Sequence, residues 1–163
     1  MDRNKIKFLF QNGIDVNEKD KNGRNALHTL CESNSSEKLI DKIQFLIQNG
    51  IDVNGRDKYG KNALHFLCEF NSSEKLTDAM QFLIQNGIDV NGKDEFGKNA
   101  LDFLCLFNSS EKKVDAIRLL MDHGIQSQGI KDRRLLRKNK HYRNKTEPIE
   151  EITHLLHRTA ITK

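Results

Sequence analysis

A chain of 163 residues is long enough for one compact domain, but with 36% hydrophobic and 31% charged residues its core must be economical. One proline and no tryptophan count against a loop-rich β fold, and no run approaches the ~18 consecutive apolar residues that cross a membrane. The net charge of +4 is local, because residues 131–145 hold eight cations against Asp132 and carry +7 while the remainder carries −3; the basic balance does not mark the whole chain as a nucleic-acid binder.

From Met1 to Lys7 the chain is polar and charged and lacks the apolar stretch of a signal peptide, which predicts a cytoplasmic or nuclear address. Beyond this point the sequence repeats itself. "QNGIDVN" stands at Gln11, Gln48 and Gln85. "NALHTLC", "NALHFLC" and "NALDFLC" start at Asn25, Asn62 and Asn99, and "NSSEK" at Asn34, Asn71 and Asn108, all with a period of 37 residues. Such a period predicts a solenoid in which each unit buries its apolar face only against its neighbours. Residues 4–17 supply a second helix and a finger without a first helix. Full units begin near Asp20, Asp57 and Asp94.

The middle unit shows the expected layout. Asp57-Lys58-Tyr59-Gly60 is a turn signal, with glycine free to take positive φ. A short helix over Ala63–Phe70 turns Ala63, Leu64, Leu67 and Cys68 inward. Asn71 is then expected to cap a second helix, with Glu74 reaching back to it. That helix, about Glu74 to Gln85, places Leu76, Ala79, Met80, Leu83 and Ile84 on one face. Asn86-Gly87 ends it, and Ile88–Asn91 runs extended into the next turn.

After His123-Gly124-Ile125 the finger motif is lost. Ile149, Ile152, Leu155 and Leu156 nevertheless match Lys113, Ala116, Leu119 and Leu120 at an offset of 36, and Thr146-Glu147-Pro148 is a good helix start. Residues 131–158 therefore read as a degenerate terminal repeat that caps the core. The rival reading is a disordered basic tail followed by a lone amphipathic helix, and capping is preferred because the ends of a solenoid must be covered.

These units resemble ankyrin repeats. "DKYGKNALHFLC" is similar to the family's D-x-x-G-x-T-P-L-H-x-A-A, and "FLIQNGIDVN" to its second helix and G-A-D-V-N finger. The resemblance covers about residues 5–125, with two motifs recurring three times in fixed register. Asn25, Asn62 and Asn99 replace the usual threonine, and leucine plus cysteine replace the alanine pair. The period exceeds the usual value of about 33 by roughly four residues, which fall at the NSSE turn. The resemblance implies an all-α solenoid of stacked helix-turn-helix units with hairpin-like fingers. Ankyrin repeats then occupy residues 1–125, with the basic segment and the terminal cap in 126–163.

His28-x-x-Cys31 and His65-x-x-Cys68 look like metal pairs, but zinc needs four convergent ligands and each layer offers two. In the third unit Asp102 takes the histidine's place. The expectation is no metal and no cofactor, with each histidine bonding backbone in the turn and each cysteine filling a packing slot. Equivalent positions of stacked helices lie about 8–10 Å apart, too far for a disulfide, so the thiols are expected to be free. No phosphate-cradling loop or nucleophile elbow is present. A period reproduces the same residue in every layer, whereas catalysis needs different residues converging at one place.

Function is expected where the units differ. By resemblance, partners are gripped by the finger tips and the exposed face of the first helices. Those positions hold Lys21, Asn22, Arg24, Glu32 and Ser33, then Lys58, Tyr59, Lys61, Glu69 and Phe70, then Glu95, Phe96, Lys98, Leu106 and Phe107. Aromatic and aliphatic residues accumulate toward the later units, as in interface hot spots. Alternatively, Phe70 and Phe107 tuck under the NSSE turn and only Tyr59 and Phe96 are exposed. Asn17, Asn54 and Asn91 each end an L-x5-D-V-N string resembling the sites of an oxygen-dependent asparaginyl hydroxylase, against the simpler role of bridging the finger backbone. The basic segment, with Arg133, Arg134, Arg137, Lys138, Lys140 and Arg143, reads as a solvated face, an import signal, or a patch for nucleic acid or acidic membrane. The expected function is a non-catalytic, monomeric protein-interaction module. Its alternatives are inhibition of an enzyme by occlusion, or nucleic-acid or membrane binding through 131–145.

Overall fold

The computed structural model describes residues 13, 15–33, 38–108, 112–126 and 152–154. Among the described residues the two-helix units run in the order α1 Ala26–Ser33, α2 Leu39–Gln48, α3 Ala63–Phe70, α4 Leu76–Gln85, α5 Ala100–Phe107 and α6 Lys113–Asp122. No strand occurs among the described residues. The short helices stack as α1–α3–α5, the longer ones as α2–α4–α6, and each short helix packs on the longer helix of its own unit. This is the helical solenoid that the 37-residue period predicts.

Each short helix is defined at its start by an asparagine. Asn62 accepts the backbone N–H of His65, while the His65 ring accepts the Asn62 N–H at 3.2 Å, a reciprocal cap that settles two otherwise orphaned donors. Asn99 and Asp102 repeat the arrangement with a carboxylate in place of the ring. Ala63, Leu64, Leu67 and Cys68 are buried as expected. His65 and Phe66 are buried too, because α3 is covered on both sides by α1 and α5.

The longer helices begin later than the sequence suggests. The expected cap of Asn71 with Glu74 does not form, and α4 starts at Leu76 after Lys75, without a side-chain cap. Asn71 instead accepts both the N–H and the hydroxyl of Ser73, at 2.9 and 2.8 Å, and Glu74 pairs with Lys112 of the next unit at 3.4 Å. The insert is thus a compact turn held by its own asparagine. The expected inward face of α4 is buried at Leu76, Ala79, Met80 and Leu83, with Ile84 half-buried at its edge.

At the end of α4, Gly87 takes φ of 82°, Ile88 N–H donates to Leu83 O and Gly87 N–H to Ile84 O, a closing motif that needs the glycine. The chain then enters the finger. There Asp94 Oδ1 accepts the N–H groups of Phe96 and Lys98, as Asp57 Oδ1 accepts those of Tyr59 and Lys61 in the preceding finger, tying each tip into a tight turn. Successive fingers are joined by backbone: Lys58 N–H donates to Asn22 O at 2.8 Å and Glu95 N–H to Tyr59 O at 2.9 Å. One hydrophobic cluster runs through all three units and includes Ile152, which is fully buried in a helical stretch at 152–154.

Candidate protein-interaction surface

The fingers and short helices bring the variable positions to two neighbouring places. At the tips, Tyr59 is 41% and Phe96 72% exposed, and at the ends of the short helices Phe70 is 41% and Phe107 53% exposed. Phe70 and Phe107 are not tucked away under the insert. Each leans on the ring one helical turn earlier, Phe70 on Phe66 with centroids 6.2 Å apart and Phe107 on Phe103 at 5.7 Å. Lys58 Nζ lies 4.9 Å from the Tyr59 centroid and donates to Asn22 Oδ1 at 2.8 Å. Lys21 and Glu95 stand exposed at the first and third tips.

Arg24 and Lys61 are engaged internally. Arg24 Nη1 bonds Glu32 at 2.8 Å and Lys61 Nζ bonds Glu69 at 2.9 Å, across eight residues of the same unit. Each cation also sits on a ring of the following unit: the Arg24 guanidinium is 4.9 Å from the Phe66 centroid and Lys61 Nζ 4.4 Å from that of Phe103. Phe66 and Phe103, which lie at neither a finger tip nor an expected contact position, are therefore partners of this surface. Their signal is Thr29, the residue in the same register of the first unit.

The histidines and cysteines are structural. His28 Nε2 lies 3.1 Å from Lys61 O and His65 Nε2 3.2 Å from Lys98 O, so each ring links its own cap to the next finger. Burial pushes both imidazoles below their usual pKa, which keeps them neutral. A neutral ring with Nε2–H donating leaves Nδ1 to accept from the cap N–H. Cys31, Cys68 and Cys105 are free and buried; burial raises all three thiols, that of Cys105 to about 12. Such thiols are poor nucleophiles at neutral pH. No group of three metal-ligating side chains occurs among the described residues.

Asn17, Asn54 and Asn91 each use both ends of the amide to join finger to finger. Asn54 Nδ2 donates to Gly87 O at 2.9 Å and its Oδ1 accepts Asp89 N–H at 2.6 Å; Asn17 does the same with Gly50 and Asp52, and Asn91 with Gly124 and Gln126. Arg133, Arg134, Arg137, Lys138, Lys140 and Arg143 lie outside the described residues.

A family model for ankyrin repeats in three copies matches residues 2–94 and 38–132. The chain belongs to the ankyrin-repeat family. Ankyrin repeats are generally protein–protein interaction modules and typically non-catalytic, and the stacked helices and backbone-linked fingers are the ankyrin architecture. A search of curated proteins found no match. Among the described residues, no helix of this ankyrin chain is long and apolar enough to cross a membrane.

Proposed function

We propose that the chain holds another protein against the finger tips and the exposed ends of its short helices, with Tyr59, Phe96, Phe70 and Phe107 as anchors. The observation that carries this is the exposure of these four rings on two adjacent units, while the other large apolar side chains of those units are buried or half-buried among the described residues. Exposing aromatic surface costs free energy in water, and fixed rings lose little conformational entropy when a partner covers them. Lys58 and Lys98, each over a tip ring, add donors at the rim. The chain acts by binding and not by chemistry. Its buried thiols support a reducing compartment such as the cytoplasm or nucleus.

The test is an affinity pull-down with the intact chain beside the Tyr59→Ala/Phe96→Ala variant. Partner capture is expected to disappear while far-UV circular dichroism and Tm hold. Undiminished capture, or loss of folding in its place, overturns this assignment of the surface.

A further inference from the structure

The three full units each carry a cation, Arg24, Lys61 or Lys98, eight residues before the same helix position, and only two of them supply its carboxylate. Arg24 pairs with Glu32 and Lys61 with Glu69, at 2.8 and 2.9 Å, with side chains between 19% and 36% exposed. In the third unit Lys98 keeps the cation, but Leu106 stands where the acid would be. Lys98 forms no ion pair among the described residues, and its Nζ lies 5.5 Å from the centroid of its own unit's Phe96. Phe96 beside this cation is exposed, and in the short helix of the same unit Leu106 is half-buried, Phe107 exposed and Phe103 buried.

We propose that the third unit takes an acidic partner segment bearing a large apolar side chain, its carboxylate standing against Lys98 where Glu32 and Glu69 stand in the other units. This rests on the protein-binding reading above and adds the chemistry of the partner. The internal pairs set the geometry: in each earlier layer one carboxylate oxygen stands at 2.8–2.9 Å from the cation. An ion pair at an exposed lysine contributes little alone, but one covered by an apolar side chain lying on Leu106 and Phe107 is sheltered from water and screened less. The adjacent tip is of mixed sign, with Glu95 and Lys93 both exposed, so the choice of sign falls to Lys98 itself. A basic segment would meet Lys98 and Lys58 unneutralised.

The test selects a displayed random peptide library on the immobilised full chain. Enriched peptides are expected to carry Asp or Glu close to Phe, Tyr or Leu. Leu106→Glu rebuilds the pair of the first two units, so it should keep the fold and Tm yet weaken those peptides about tenfold, as should Lys98→Gln. Enrichment of peptides without acids, binding by Leu106→Glu within about twofold of the parent, or no enrichment at all overturns the inference. Peptides lost in Tyr59→Ala/Phe96→Ala but unaffected by Leu106→Glu sink this inference and leave the broader reading standing.

Discussion

Lys113 Nζ stands against the carbonyl oxygens of Cys105 and Asn108, at 2.9 and 3.2 Å, as Asn108 Nδ2 stands against those of Cys68 and Asn71, at 3.0 and 2.7 Å. The end of a short helix leaves carbonyls that must find donors. For α3 the asparagine of the following unit supplies them. For α5 the donor is the lysine of its own unit, at the register where Leu39 and Leu76 fill the core. Burial of Lys113 is complete, and it lowers the amine to about 8.

Lys113→Met therefore strips two buried carbonyls of a donor. It is expected to destabilise the fold by about 1–3 kcal/mol in urea titrations at neutral pH, although the substitution is more apolar. The pH dependence has a definite sign. The unfolded amine holds its proton up to 10.5 and the folded one only to about 8, so the parent should gain stability relative to Lys113→Met as pH rises between them.

His28 and His65 respond in the opposite range. Their folded pKa values lie below 6.5, so the unfolded chain takes up protons first as pH falls. Their bridging bonds contribute fully above 6.5 and are lost as pH drops below it toward the folded values. Urea midpoints should fall on mild acidification, and less so in His28→Gln/His65→Gln. Asp102, raised by burial, works the other way and gains stability as pH falls.

Asn62→Ala removes an acceptor for His65 N–H and a donor to Asp89 O at 3.0 Å, one bond inside the unit and one to the next finger. Thermal unfolding should show a loss of about 2 kcal/mol, set against a near-neutral Ser72→Ala, whose side chain is exposed.

Two glycines with nearly equal φ separate backbone strain from crowding. Gly97, at 74°, has open space where a Cβ would stand, so Gly97→Ala should cost about 1 kcal/mol. Gly23, at 76°, would bring its Cβ within 2.8 Å of Lys58 N in the next finger. Gly23→Ala is expected to cost clearly more, and equal losses would mean that neighbouring fingers part readily.

Much of the stack was legible because burial repeats with the same period as the letters. Leu76, Ala79, Met80 and Leu83 were readable as an inner face from spacing alone. The start of the longer helix was misread at Asn71. An asparagine three residues before Glu74 and one three residues before His65 look alike locally, yet only Asn62 caps, because Ser73 takes the acceptor of Asn71. At the candidate surface, the tips could be named from the resemblance to ankyrin repeats, but the seats of Arg24 on Phe66 and Lys61 on Phe103 could not. Those contacts join residues of different units.

Sequence by itself determined the period, the helix pair in each unit, the apolar faces and the family. All of these follow from preferences within a few residues and from recurrence. Tertiary structure alone decided which donor meets which carbonyl, as with Asn108 and Lys113, that Phe70 and Phe107 face outward, and that Lys98, among the described residues, forms no counterpart of the Arg24 and Lys61 ion pairs. Those outcomes depend on how one layer is laid upon the next, and a side chain's partner there is chosen by stacking geometry and not by its own neighbours in the chain.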